Sequence, residues 1–365
     1  APLARMLRCA YESDMNDVLT SLPVSAADIE QAAKVLAPHA VRTPLLSSPV
    51  IDALSGARVL LKPEMLQRTG SFKFRGAFNK LMSIPEEARP RGVVAFSSGN
   101  HAQGVAAAAQ LLGLRATIVM PADAPASKRE RTKAYGAELV LYDRLREDRE
   151  AIARRIAEER GATLVPPYDD TKIIAGQGTI GREIVDDLEQ MGLSPDLVMA
   201  PASGGGLCAG IAVAVRSRRP QAAIVCAEPD GFDDHARSLR AGQREPHHAD
   251  KHTICDALMA PIPGQLTFTI NQRLLARGVT ASDAEVAATV GLVFRELRLV
   301  VEPSGAVALA ALLAGHIQAR GKTVAVVLSG GNVDPDMYAR LIEDDTMAPL
   351  VGASAAQEKN ASFSA

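Results

Sequence analysis

Tryptophan is absent from the 365 residues, and aromatic side chains make up only 4% of them. So few rings provide no stacking platform for nucleic-acid bases. The 40 basic residues are matched by 42 acidic ones, which excludes a strongly basic nucleic-acid binder. The four cysteines, Cys9, Cys208, Cys226 and Cys255, share no metal-ligand spacing. That sparse usage fits a reducing cytoplasm better than a disulfide framework. No apolar run follows Arg5 and Arg8, so no secretory signal is expected. The stretch Leu197 to Val215 holds 19 uncharged residues, nominally enough to span a bilayer. It also contains Pro201, Gly204, Gly205, Gly206 and Gly210, the composition of a strand, a loop and a helix buried in protein.

The chain is 47% hydrophobic and 22% charged, ordinary for a globular protein. Short β-branched runs alternate with longer helical patterns. Strands are expected at Arg58–Lys62, Gly92–Phe96, Ala116–Met120, Glu138–Leu141, Thr163–Val165, Asp196–Ala200, Ala223–Ala227 and Thr323–Leu328. Helices are expected at His101–Leu112, Glu147–Arg160, Gly178–Gln190, Ser282–Leu297 and Ala306–Gln318. This alternation predicts an α/β fold, with parallel sheets covered by helices on both faces. No linker-like stretch divides the chain, so a second domain is expected as an insertion within the first.

Four polar loops follow predicted strands. Pro201-Ala202-Ser203-Gly204-Gly205-Gly206-Leu207 opens a helix, and its glycines let backbone N–H groups approach an anion such as a phosphate. Gly204-x-Gly206-x-x-Ala209 also matches a relaxed dinucleotide fingerprint, with Glu228 placed as a ribose-binding acid, so a nicotinamide dehydrogenase is a local alternative. Ser97-Ser98-Gly99-Asn100-His101 suits carboxylate capture at a helix start, although His101 alone reads as an ordinary helix-start residue. Leu328-Ser329-Gly330-Gly331-Asn332 ends another apolar strand. In Thr69-Gly70-Ser71-Phe72-Lys73-Phe74-Arg75-Gly76-Ala77, Lys73 stands between two phenylalanines, an apolar collar that would lower its pKa as a Schiff-base lysine needs. Taken alone, Lys73 reads as an amphipathic surface residue, as most lysines beside aromatics are.

Together, in this order and spacing, these motifs resemble the fold-type II enzymes that use pyridoxal 5′-phosphate (PLP), in particular the serine/threonine dehydratases and serine racemases. The resemblance runs from about Ile29 to Leu341. It implies two open, twisted, mostly parallel sheets with helices on both faces, like tryptophan synthase β. The larger, PLP-binding domain would comprise 15–85 and 166–341, and the smaller domain 86–165. Residues 1–14 would be an N-terminal extension and 342–365 a flexible tail too short for a C-terminal effector domain. The resemblance makes Lys73 the Schiff-base lysine and general base. It gives Asn100 the phenolic oxygen of the cofactor, the amides of Ser203, Gly204, Gly205, Gly206 and Leu207 the phosphate, and Ser329 the pyridine nitrogen. The loop Ser97, Ser98, Gly99, Asn100 and His101 would hold the substrate carboxylate. Glu228, the Phe232 carbonyl and Asp234 match the family's divalent-cation site, suited to Mg²⁺, Ca²⁺ or Mn²⁺. On residue type alone, Glu228 and Asp234 read as a solvated acidic loop.

The resemblance implies a cytoplasmic ammonia-lyase that converts L-threonine, L-serine or a close β-hydroxy amino acid to a 2-oxo acid and ammonia. A homodimer or homotetramer is expected, with a small amino acid as substrate and neither nucleic acid nor membrane as partner. Val165-Pro166-Pro167-Tyr168-Asp169-Asp170, followed by Ile174-Ala175-Gly176-Gln177-Gly178-Thr179, is similar to the catabolic threonine dehydratases. Ser98 is instead similar to the racemases, where it would act as acid/base on the face opposite Lys73. Hydroxyaspartate dehydratases share Ser98 and the cation site, so a serine or hydroxyaspartate racemase or a hydroxyaspartate dehydratase stands beside the threonine reading. A catalytically silent ligand-binding protein on the same fold is the alternative of a different class.

Overall fold

The computed structural model describes residues 15–248, 251–343 and 346–350; the expected extension at 1–14 and the tail residues 351–365 lie outside them. Two sheets, both entirely parallel, organise the described residues. The larger has the order β1-β9-β6-β7-β8, from β1 (Arg58–Pro63), β6 (Leu197–Pro201), β7 (Ala223–Pro229), β8 (Arg277–Ala281) and β9 (Thr323–Leu328). The smaller has the order β4-β3-β2-β5, from β2 (Val93–Phe96), β3 (Ala116–Pro121), β4 (Glu138–Tyr142) and β5 (Thr163–Leu164).

Burial on both faces explains why the strands read as continuous apolar runs. In β6, Val198 and Ala200 enter the core on one face, and Leu197 and Met199 the core on the other. In β2, Val93 and Ala95 oppose Val94 and Phe96 in the same way. β8 escapes sequence reading because it is an edge strand whose only buried side chains are Val279 and Ala281. The uncharged stretch at 197–215 resolves into β6 and the helix Gly206–Arg218. No helix among the described residues is long and apolar enough to cross a membrane.

The helix expected at Gly178–Gln190 begins earlier, at Thr171, because Asp170 caps it by accepting the N–H groups of Lys172 and Ile173. The extension absorbs the Ile174–Thr179 motif and gives it a packing role. A Cβ on Gly176 would lie 2.7 Å from the Gly76 Cα, so this glycine lets helix Thr171–Gln190 press against helix Lys73–Met82. The latter sends Phe74, Ala77, Phe78 and Leu81 into the core of the smaller sheet. Just before it, the Phe72 N–H donates to the Ser329 carbonyl beyond β9 of the larger sheet, at 3.1 Å. Lys73 thus sits where the two sheets meet.

Beneath it lies a buried charge network. The Arg75 guanidinium donates to both Glu64 oxygens at 2.8 Å and to Glu183 at 2.7 and 2.9 Å. The Lys62 ammonium donates to Glu183 at 2.7 Å and to the Thr43 carbonyl at 2.5 Å. Two cations thus balance two carboxylates, and they tie β1 to both helices that flank Lys73.

Candidate active site

Parallel strands bring their carboxyl ends to one edge of a sheet, and the loops that follow them collect there. Lys73, the loop 97–101, the turn 203–207 and Ser329 line one cavity of about 240 Å³ between the sheets. The Lys73 ammonium is turned inward and donates to the Pro167 carbonyl at 2.7 Å. Burial pushes its pKa down to about 8. Of the expected collar only Phe72 faces the amine, its ring centroid 5.2 Å from Nζ. Phe74, one residue further around the helix, is fully buried in the core instead.

In the 203–207 turn, Gly205 has φ +93°, a conformation that favours glycine. Helix Gly206–Arg218 starts at the next residue, so N–H groups without intrahelical partners stand at the cavity wall. Above them the Tyr168 ring covers Gly204, where a Cβ would come within 2.1 Å of it. The Ser203 hydroxyl accepts the Ala260 N–H at 3.1 Å, which ties the turn to the loop at 256–260. Glu228 contradicts the dehydrogenase alternative. It is wholly buried and accepts the N–H groups of His235 and Ala236, at 2.9 and 2.8 Å, so it cannot reach a ribose.

At the loop after β2, the Ser97 hydroxyl accepts the Gly99 N–H at 3.1 Å, while among the described residues nothing holds the Ser98 hydroxyl. His101 lies 3.0 Å through Nε2 from the Val165 carbonyl. Burial, with the nearby Lys73, drives its pKa down to about 3, so the ring is neutral. The Asn100 amide donates to Glu302 at 2.6 Å and accepts from Asn332 at 2.7 Å.

Glu302 and a cationic wall are the site residues that the sequence did not single out. Glu302 occupies the N-cap position of helix Pro303–Leu313, makes no side-chain capping bond there, and is 3% exposed. Burial pushes its carboxyl up to about 7, Asp256 reinforces the shift, and Asn100 and Lys128 oppose it. Lys128, Arg144 and Arg149 line the cavity on the side of the smaller sheet. Lys128 pairs with Asp256 at 2.6 Å, and Arg144 with Asp123 at 3.1 Å. Arg149 lies 5.8 Å from the Phe96 ring centroid and has no ion-pair partner among the described residues. It is also the first residue of helix Arg149–Arg160, where a cation opposes the helix dipole. Stability alone does not favour an arginine there.

Apart from the cavity, Glu228 and Asp234 are 0% and 1% exposed, which contradicts a solvated acidic loop. Their nearest ligand atoms cluster with those of His235, all within 4.8 Å of one another. Burial raises both carboxyl pKa values, that of Asp234 to about 7. Phe232 is buried in the turn between these acids and stacks on His247 at 5.1 Å.

Three comparisons place this arrangement among known proteins. The L-threo-3-hydroxyaspartate ammonia-lyase of Pseudomonas sp. is 44% identical over 316 residues, which cover 87% of this chain and 98% of the relative. The crystal structure of a threonine deaminase from T.th. superposes with a TM-score of 0.80 at 44% identity, covering 85% of this chain and 99% of that one. The structure of maize serine racemase gives 0.82 at 36% identity, covering 88% and 97%. The family model described as pyridoxal-phosphate dependent enzyme matches residues 36–330, a span that contains the buried lysine, the glycine turn and every loop of the cavity, and the chain belongs to that family.

Proposed function

We propose that the chain is a PLP-dependent ammonia-lyase whose preferred substrate is a β-hydroxy amino acid with a second carboxylate, L-threo-3-hydroxyaspartate. The cavity fits the cofactor. A lysine with a lowered pKa lies in the same cavity as a glycine turn at a helix N-terminus and a neutral hydroxyl at Ser329. When bound, PLP supplies an electron sink that acidifies the Cα–H of an amino acid attached to it. Around that chemistry the side chains have distinct tasks. The Lys73 amine takes the Cα proton. The N–H groups of the 97–101 loop hold the α-carboxylate at the start of helix Asn100–Leu111. Asn100, fixed between Glu302 and Asn332, presents its remaining N–H to the phenolic oxygen. Ser329, an uncharged hydroxyl on the cavity wall, would meet the pyridine nitrogen without supplying a charge, so the bound group would be a weaker electron sink than beside an acid. Tyr168 screens the phosphate turn from water. The released enamine hydrolyses to the 2-oxo acid and ammonia.

The observation that carries the substrate assignment is Arg149, a cavity cation without an ion-pair partner among the described residues. A β-carboxylate supplies that partner, and the methyl of threonine does not. Replacing Arg149 by methionine keeps its packing on Phe96 and removes one charge-assisted hydrogen bond, worth about 1.5–3 kcal/mol. Arg149→Met will therefore lower kcat/KM for L-threo-3-hydroxyaspartate by about 10- to 100-fold. L-Serine turnover should change less than about 3-fold. Equal losses on both substrates would return L-threonine and L-serine as the favoured class.

The free Ser98 hydroxyl supports a second activity on the same substrates. Proton return to the Cα face opposite Lys73 needs a donor, which Ser98 provides and alanine cannot. Wild type will then form D-serine slowly from L-serine. Ser98→Ala will abolish inversion and keep dehydration within about 10-fold of wild type, because it removes one general acid–base group from one of the two reactions. Chiral chromatography of the product mixture decides: parallel loss of both reactions, or no D-serine from wild type, rejects the role.

Two further assignments belong to this reading. Glu228, Asp234 and the Phe232 carbonyl form a divalent-cation site, since two buried carboxylates at this separation repel each other until a cation joins them. The unbridged Cys208, Cys226 and Cys255 support a cytoplasmic homodimer or homotetramer only as to compartment.

A further inference from the structure

Glu228 ends β7, and Asp234 and His235 open the helix Asp234–Ala241. His235 is 0% exposed and its Nδ1 has no hydrogen-bond partner, nor has Asp234 Oδ2. Nδ1 lies 3.9 Å from Glu228 Oε1 and 3.9 Å from Asp234 Oδ2. Ligands on one first-row divalent cation stand about 3–3.4 Å apart at bond lengths near 2.1 Å, so closure on a metal needs Nδ1 and each carboxylate to approach one another by about 0.5–0.9 Å. Both Glu228 oxygens are held by backbone N–H groups on one side, which fixes the carboxylate and leaves lone pairs for a metal. The opposite edge of the imidazole faces Asn271, with Nε2 3.2 Å from the amide nitrogen. Asn271 Oδ1 is itself buried without a partner, and a half-turn of that amide lets it accept an Nε2–H. Such an acceptor fixes the tautomer that leaves Nδ1 free for a metal.

We infer that His235 Nδ1 is a nitrogen ligand of the Glu228–Asp234 cation site. This rests on the cation site proposed above and changes its chemistry: imidazole favours later first-row metals, whereas an all-oxygen set suits Mg²⁺ and Ca²⁺. The site therefore selects Mn²⁺ over Ca²⁺. The half-turn that lets Asn271 Oδ1 accept Nε2–H gives up the Asn271 Nδ2 donation to the Gly205 carbonyl, which stands at 3.2 Å.

The test uses the full-length, PLP-loaded protein and Mn²⁺. Loss of the free Mn²⁺ electron paramagnetic resonance signal on titration gives the stoichiometry, expected to be one per chain. Electron spin-echo modulation of the bound ion then reports nitrogen. Wild type should show ¹⁴N coupling that converts to ¹⁵N when the protein is made with ring-¹⁵N histidine. His235→Gln should lose that coupling, and its preference for Mn²⁺ over Ca²⁺ should fall by 10-fold or more. Absence of stoichiometric Mn²⁺ binding by wild type overturns the cation site itself. Bound Mn²⁺ without histidine-nitrogen coupling, or coupling that persists in His235→Gln, overturns the His235 assignment and leaves the cation site standing. The isotope experiment needs no variant, so the inference stays testable if His235→Gln does not fold.

Discussion

Lys73→Ala will reduce ammonia release from every substrate by about 10⁴-fold or more, since in the proposed mechanism Lys73 is both the attachment point for PLP and the general base. The variant should also fail to develop the visible absorbance that PLP acquires on the wild-type protein. The pH dependence follows from the same amine. Its pKa of about 8 lies below the ordinary lysine value of 10.5. The reactive, unprotonated amine is thus already half populated near pH 8, and the rate at which apo-protein takes up PLP should rise to a plateau with a midpoint there. A midpoint near 10 would mean that burial does not tune this amine. The sign for stability is also fixed. Between pH 8 and 10.5 the unfolded chain binds the proton that the folded one has released, so Lys73 makes apo-protein more stable as pH rises through that window. Lys73→Ala should remove that slope while leaving the fold intact, because the ammonium makes one hydrogen bond, to Pro167.

Arg75→Met is expected to have the largest effect on stability. The guanidinium is 1% exposed and its donors are used on Glu64, Glu183, Thr179 and the Val41 carbonyl. Methionine fills similar volume but leaves Glu64 wholly buried with no cation. Breaking a buried pair in this way costs about 3–5 kcal/mol, which corresponds to a melting temperature lower by on the order of 10 °C. Burial works against the Glu183 charge, but Arg75 and Lys62 outweigh it and hold its pKa below the usual carboxylate value. In wild type Glu183 therefore contributes stability above its unfolded pKa, and that contribution is lost as pH falls through the folded value. In Arg75→Met, Glu183 keeps only Lys62 and its carboxyl ionises less readily, so the gap from wild type should be wide at pH 7 and narrow near pH 4. Thermal melting across that range measures it; a loss under about 1 kcal/mol at pH 7 would show that the network is dispensable.

The fold was legible where burial is two-sided. β6 and β9 read as strands because both their faces are covered, and the loops after β2, β6 and β9 read as site loops because small polar residues follow apolar runs there. β8 was not legible: it borders the sheet, and Arg277, Gly278 and Thr280 interrupt any period. Lys73 was legible through its motif, although the reason it is buried differs from the expected collar. Phe72 and the Pro167 carbonyl enclose the amine, while Phe74 belongs to the core. Glu302 and Arg149 were not legible because each looks locally ordinary, an acid just before the helix-starting Pro303 and an arginine in a run of charges. Their distinction is tertiary. Glu302 meets Asn100 from 202 residues away, and Arg149 gains its meaning only from the cavity it faces. His235 belongs to the same class, since nothing near it in sequence sets its imidazole apart. The folded chain places that ring against two carboxylates.

The central claim is tested most directly by the products of the PLP-loaded wild-type protein. Incubated with L-threo-3-hydroxyaspartate, it should release oxaloacetate and ammonia in equal amounts. Its kcat/KM should exceed that for L-threonine by at least about 10-fold, the share assigned to one Arg149–carboxylate contact. Release of ammonia from L-threonine at equal or higher kcat/KM would contradict the substrate assignment. No ammonia from either amino acid would contradict the enzyme itself.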